Sequence, residues 1–218
     1  MTSEPQPDIA ALRREYADRG LTEPDLGPDP MAAFVRWHHQ ALAAGLHEPN
    51  AMVVATVDGH VPSSRMVLLK TVDKRGFVFF TNTLSRKGRE LAANPACALL
   101  FPWHPLERQI RVEGAAELVD DAEADAYFGS RPRGSQLGAW ASPQSEVVPC
   151  RDFLAERYAR ESDRFDGIDE VPRPPHWSGY LVRPRLIEFW QGRPGRMHDR
   201  LAFERVDETT WSVERLAP

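Results

Sequence analysis

Ala51-Met52-Val53-Val54-Ala55-Thr56-Val57, Arg65-Met66-Val67-Leu68-Leu69-Lys70-Thr71-Val72 and Gly76-Phe77-Val78-Phe79-Phe80-Thr81 are three β-rich runs that decide the fold. Turn residues at Asp58-Gly59 and from Asp73 to Gly76 separate them. β-branched and aromatic residues between such turns predict successive strands. Outward from them, further strands are expected over Ala96–Phe101, Arg108–Val119, Gly179–Val182, Leu186–Trp190, Leu201–Arg205 and Trp211–Arg215. Helices are expected over Ser85–Asn94, Asp120–Gly129 and Arg151–Phe165, with Pro-rich Val171–Pro175 as a break. Upstream, Asp29 reads as an N-cap and Pro30 as the first residue of a helix to Ala44, its apolar stripe being Phe34, Trp37, Ala41 and Leu42. Asp8–Arg19 has helical spacing at Ile9, Leu12 and Tyr16, and Leu21–Pro30 reads as a linker. Residues 1–7 read as disordered, and 8–218 as a single domain without internal repeats. Antiparallel strands with helices between them predict an α+β barrel.

The 218 residues are enough for one core, and 42% of them are hydrophobic. The net charge of −5 argues against a general nucleic-acid binder, whose affinity comes from phosphate neutralisation. Cys97 lies in an apolar run, and two cysteines make no disulfide framework. The polar start of the chain and the lack of a long apolar run point to a cytoplasmic protein. No residues stand at metal-ligand spacing, and neither a Walker-type loop nor a nucleophile elbow is present.

Against this acidic background stand four basic islands: Arg65–Lys70, Ser85-Arg86-Lys87-Gly88, Ser130–Ser135 and Arg196-Met197-His198-Asp199-Arg200. Two of the chain's three lysines fall in them. Arg65 and Lys70 are an odd number of residues apart, so on one strand they face opposite sides and serve different ligands or different parts of a site. Ser85–Gly88 opens a helix, where backbone N–H groups favour an anion. Tyr127, Arg131 and Ser135 recur at every fourth position, but Pro132 breaks helical geometry at Arg131. They can still converge across the bend as an anion clamp. Arg196, His198 and Arg200 share one face if that segment is extended, and like charges disfavour protonated His198. Taken singly, each island reads equally well as a cap or a charged rim.

Taken in order, they resemble the pyridoxine/pyridoxamine 5′-phosphate oxidases. The likeness runs from Ile9 to Pro218. It also takes in Leu12–Tyr16, Asn50–Val57, Thr81-Asn82, Phe101–His104, Glu107–Gln109, Gly138–Ser142, Glu188–Gly192 and Arg215–Pro218. The resemblance implies an FMN-binding split β-barrel with peripheral helices, a homodimer with two FMN sites at the subunit interface. It implies oxidation of pyridoxine 5′-phosphate and pyridoxamine 5′-phosphate to pyridoxal 5′-phosphate, with oxygen reduced to hydrogen peroxide.

By position, the FMN contacts implied are Arg65, Met66, Val67, Leu68, Leu69, Lys70, Phe80, Thr81, Arg86, Lys87, Gln109, Gln144, Ser145, Trp190 and Arg200. The substrate contacts implied are Lys70, Tyr127, Arg131, Ser135, Arg196, Met197 and His198, with Arg13, Arg14, Glu15 and Tyr16 as a lid formed by the N-terminal helix and linker of residues 8–30. Arg196 and His198 are the catalytic pair implied, as orienters and electrostatic stabilisers. Phe80 stands where many relatives carry tyrosine, and Met197 where leucine is common. The alternative is another split-barrel flavin or deazaflavin-dependent reductase, which lacks the clamp of Lys70, Tyr127, Arg131 and Ser135.

Overall fold

Nine strands of one antiparallel sheet carry the molecule in a computed structural model that describes residues 15–218. The strands are β1 (Ala51–Asp58), β2 (Val61–Leu68), β3 (Thr71–Asp73), β4 (Gly76–Asn82), β5 (Ala96–Trp103), β6 (Arg108–Leu118), β7 (Trp177–Gln191), β8 (Asp199–Arg205) and β9 (Trp211–Arg215). Their order is β2-β1-β5-β6-β7-β4-β3, with β8 added to β7 and β9 to β8. The two ends of the path, β2 and β3, are joined by Leu69-Lys70, where Lys70 N–H donates to the Val78 carbonyl at 2.8 Å. No ladder pairs β2 with β3 among the described residues, so the barrel stays split.

Side-chain alternation directs the core. In β1, Met52, Val54 and Thr56 face inward and are buried. Phe77, Phe101, Phe189 and Phe203 join them, closed on one side by α2 (Pro30–Ala43). Phe34 of α2 meets Phe77 and Phe101 edge-on, each at 4.9 Å between ring centroids. Asp29 caps α2 as expected, its side chain accepting from Met31 N–H at 2.9 Å. A second apolar cluster of Phe128, Leu137, Phe165, Val171 and Trp177 forms beside α4 (Asp121–Gly129), α5 (Arg133–Ala141) and α6 (Arg151–Arg164). No helix of the described residues is long and apolar enough to cross a membrane.

Several expectations change. The predicted strand Arg65–Val72 starts earlier, at Val61, and divides at Leu69-Lys70, because Lys70 turns its amide to β4. Gly179–Val182 and Leu186–Trp190 are one strand, since Pro184 sits where the β6 ladder shifts register and needs no amide donor there. Leu42 points to solvent, whereas Met31 and Ala33 join the buried face of α2. The linker Leu21–Pro30 contains a short helix, α1 (Glu23–Leu26). Residues 15–19 are not helical. The remainder of the Asp8–Arg19 helix, with Arg13, Arg14 and residues 1–7, lies outside the described residues.

Candidate active site

Lys70, Tyr127, Arg131 and Ser135 come together at one cleft of about 560 Å³. Lys70 arrives from the link between β2 and β3, Tyr127 from the last turns of α4, and Ser135 from the first turn of α5. The break at Pro132 makes the convergence: α4 ends at Gly129 and α5 restarts at Arg133, leaving Arg131 between them. Met66, Val67, Leu68, Phe80, Thr81, Lys87, Gln144 and Trp177 also line the cleft. Three cations face it, and no carboxylate lines it among the described residues. The Arg131 guanidinium lies 4.8 Å over the Trp177 ring and 5.5 Å from Phe128, and its Nη1 is buried without a partner. Burial lowers its pKa, opposed by Tyr127, yet a guanidinium stays charged at any ordinary pH. A buried cationic donor with no acceptor is a place prepared for an anion.

Next to this cleft, Ser85 caps α3 (Arg86–Ala93), its hydroxyl accepting from Gly88 N–H at 3.3 Å. A Cβ on Gly88 would meet the Thr83 carbonyl oxygen at 2.1 Å, so only glycine lets α3 start so close to the end of β4. Lys87, buried, donates to Thr81 Oγ1 at 3.0 Å and Gln144 Oε1 at 3.3 Å. Burial, helped by the nearby Arg65 charge and opposed by Glu90, lowers its pKa. Leu69 is buried and Ser145 exposed at positive φ; neither lines the cleft.

Arg65 and Arg86 do not line the cleft either. Both reach the carboxylate of Glu90, a residue buried in the interior. Glu90 also accepts from Thr56 and Ser63. Burial alone would raise its pKa, but hydrogen bonds from Thr56, Ser63, Arg86 and Arg65 hold it down to about 2. Glu90 has no place in the sequence reading. Its i,i+4 spacing from Arg86 on a helix was the available signal.

The remaining positions gather at the other end of β7. Gln109 pairs with Trp190, and Trp190 with Arg200. The His198 ring lies 4.7 Å from Trp190, and Tyr16 meets both rings edge-on at 5.5 and 5.9 Å. A Cβ on Gly192 would come within 2.9 Å of the Tyr16 ring, so this close approach needs glycine. Glu15 is exposed and makes no such contact. His198 Nδ1 accepts from Arg193 N–H at 3.1 Å, which places the proton of the neutral ring on Nε2. Its pKa is lowered by burial first and by Arg196 second, so the like-charge argument names the smaller cause.

The segment Arg196–Arg200 is not extended throughout. Pro194–Arg196 is a 3₁₀ turn, Gly195 and Arg196 have positive φ, and β8 begins only at Asp199. The shared-face argument therefore fails for Arg196, which is exposed along with Met197. Arg200 is bound by Glu188, with Nε–Oε1 at 2.8 Å and Nη2–Oε2 at 3.1 Å, and by the Ala217 carbonyl at 2.9 Å.

These two sets do not meet within one chain. Phe80 pairs with Gly179 near the start of β7, whereas Trp190 lies eleven residues further along it. At ~3.3 Å per residue the two ends are roughly 36 Å apart along the strand. None of Gln109, Trp190, Arg196, His198 or Arg200 lines the cleft of Lys70 and Arg131.

Comparison with known proteins fits this arrangement. The chain matches the pyridoxamine 5′-phosphate oxidase family over residues 38–163 and the pyridoxine 5′-phosphate oxidase C-terminal dimerisation region over residues 177–218. It is 59% identical to the pyridoxine/pyridoxamine 5′-phosphate oxidase of a Nocardioides species, over 97% of this chain and 98% of that one. Among solved structures it is similar to PhzG from Burkholderia lata in complex with tetrahydrophenazine-1-carboxylic acid, with a TM-score of 0.85 and 31% identity over 92% of this chain and 99% of that one. It shares its fold with a pyridoxamine 5′-phosphate oxidase-related, FMN-binding protein of Nostoc punctiforme, with a TM-score of 0.68 and 18% identity over 88% and 100% of the two chains. The split barrel and the sequence identity together make this chain a flavoprotein oxidoreductase of the pyridoxine/pyridoxamine 5′-phosphate oxidase family.

Proposed function

We propose that the protein oxidises pyridoxine 5′-phosphate and pyridoxamine 5′-phosphate to pyridoxal 5′-phosphate, with oxygen as the final acceptor reduced to hydrogen peroxide and, for the amine, with water consumed and ammonia released. The cofactor is FMN. The observation that carries the substrate reading is the unpartnered buried Nη1 of Arg131, a residue that lines a cleft with Lys70, Tyr127 and Ser135 and, among the described residues, no carboxylate. That donor set suits a phosphate monoester, which carries about −1.5 to −2 charges at pH 7.

The residues present also fit the cofactor. Lys87, Thr81 and Gln144 form a polar cluster beside the clamp, with Arg86 at the same helix start. These residues, with the Arg65–Lys70 segment and Phe80, hold FMN in this reading, and Gln109, Trp190 and Arg200 hold it from a second copy. When bound, FMN supplies the acceptor for the hydride from the substrate's 4′ carbon and passes the electrons to oxygen. Lys70 and Arg131 bind the substrate phosphate, and Tyr127 and Ser135 add hydroxyl donors. Neutral His198 presents its Nε2 proton, and Arg196 adds a positive charge beside it. Holding a small ring fixed in this way is chiefly a proximity effect. Because the two sets stand at opposite ends of β7, the reading requires a homodimer, which the dimerisation region at residues 177–218 supports.

The PhzG likeness gives a second reading, in which the substrate is a reduced tricyclic carboxylic acid. Incubating the purified protein in air with pyridoxamine 5′-phosphate, and separately with tetrahydrophenazine-1-carboxylic acid, separates the two. Pyridoxal 5′-phosphate and peroxide in the first mixture support the proposal. Turnover in the second alone overturns it.

A further inference from the structure

Glu90 is a charged group that the proposed chemistry leaves unused. Its carboxylate lies in the interior at the junction of three elements and accepts from Thr56 of β1, from Ser63 and Arg65 of β2, and from Arg86 of its own helix. The two guanidiniums it holds reach outward, the Arg65 side chain being 20% exposed and that of Arg86 54%, against 3% for Glu90.

The way each arginine is held differs. Both Nη groups of Arg65 are already engaged, with Val54 O, Thr56, Ser63 and Glu90. Arg86 is gripped through Nε alone, at 2.8 Å. Neither of its Nη groups has a partner among the described residues. Such a grip fixes the guanidinium plane and leaves its outer fork free, and a planar fork suits a phosphate. Charge adds to the argument. Arg65, Arg86 and Lys87 are three cations gathered around one carboxylate, and the double positive charge left over complements a phosphate monoester of about −1.5 to −2.

We propose that Glu90 is a positioning residue for the cofactor: by gripping Arg86 through Nε, and Arg65 behind it, it holds the free fork of Arg86 toward the FMN phosphate. The inference rests on the cofactor reading above and adds to it the residue that orients the phosphate ligand.

The test follows release of flavin from the FMN-loaded protein, read as the fluorescence that appears on dilution. Arg86→Ala and Glu90→Ala should each release FMN roughly tenfold faster or more, the effect of losing a charge-assisted contact. Together they should release it no faster than the quicker single variant, because Glu90 acts through Arg86. Glu90→Gln keeps one acceptor oxygen and should fall between the parent and Glu90→Ala. It also serves if Glu90→Ala does not fold. Release at the parent rate from Glu90→Ala, slower release, or effects that multiply in the double variant would each overturn the proposal. So would a Glu90→Ala protein that loses only thermal stability. If Arg86→Ala itself retains FMN like the parent, the assignment of Arg86 to the cofactor fails, and the role of Glu90 fails with it. A parent protein that carries no FMN overturns the cofactor reading before Glu90 is reached.

Discussion

Phe80 stacks on Tyr127 with ring centroids 4.0 Å apart and planes inclined by 21°. Trp177 lies nearly parallel to both rings, 5.3 Å from Phe80 and 6.1 Å from Tyr127, so the three form a cluster, and Arg131 lies over Trp177. Phe80 is thus one ring of an aromatic cluster that packs against two residues of the cleft, Tyr127 and Arg131. Phe80→Ala should cost about 2 kcal/mol in urea unfolding, less than a fully buried phenylalanine, because Phe80 is only partly covered. It should also raise KM for pyridoxamine 5′-phosphate. A variant with unchanged KM would show that the stack is packing alone.

Lys70→Ala and Arg131→Ala should raise KM by roughly ten- to a hundredfold each, while FMN content stays near the parent value. Both residues line the cleft, and neither hydrogen-bonds to the Lys87–Thr81–Gln144 cluster. Flavin absorbance of the purified variants and steady-state kinetics check both halves. Loss of flavin with normal KM in what remains loaded would reverse the assignment.

Arg196→Ala should lower kcat/KM by about a hundredfold, since misplacing the reacting atom by ~1 Å costs on that order, and should leave flavin content alone. Arg200→Ala should behave differently. It leaves Glu188, 2% exposed, paired with Arg111 only. Removing one of two partners of a buried carboxylate lowers stability, by less than the roughly 3 kcal/mol of a wholly uncompensated charge because Arg111 remains. The expected result is therefore a lower Tm together with loss of FMN.

Two groups give separate regions of pH dependence, in both of which stability falls as pH falls. His198 is held below 6.5, so the unfolded chain binds its proton more readily. This group costs stability as pH falls through about 6.5 and nothing above it. Its protonation also breaks the Arg193 contact, and activity should fall on the same side. Glu90, moved from 4.5 to about 2, contributes stability that is complete above 4.5 and is lost as pH falls toward 2. Tm measured against pH should show both regions. His198→Asn should remove the upper one and Glu90→Gln the lower, and a variant that keeps its region would refute the matching assignment.

The strand framework was legible because alternation and turn residues are local signals: Trp211–Arg215 and the start of β1 at Ala51 stand as read. The convergence of Arg131 and Ser135 was legible too, because Pro132 announces the break that brings them to one cleft. What depended on tertiary pairing was not. Lys70 leaves its strand because of a carbonyl on β4. Arg196 leaves the extended path because Pro194-Gly195 turns the chain before β8. Glu90 and Glu188 were silent because a glutamate on a helix or strand looks like any solvated charge until three elements close over it.

The account rests on one claim, that the Arg131 cleft presents a B6 phosphate ester to FMN. Mixing the purified protein with pyridoxamine 5′-phosphate in the absence of oxygen, and following the flavin band near 450 nm (an approximate position for any oxidised flavin), tests it most directly. The account predicts that the band bleaches in a single turnover, that pyridoxal 5′-phosphate forms in equal amount to the flavin reduced, and that Arg131→Ala needs far more substrate for the same bleaching. A flavin that stays oxidised at saturating pyridoxamine 5′-phosphate yet bleaches with tetrahydrophenazine-1-carboxylic acid would contradict it.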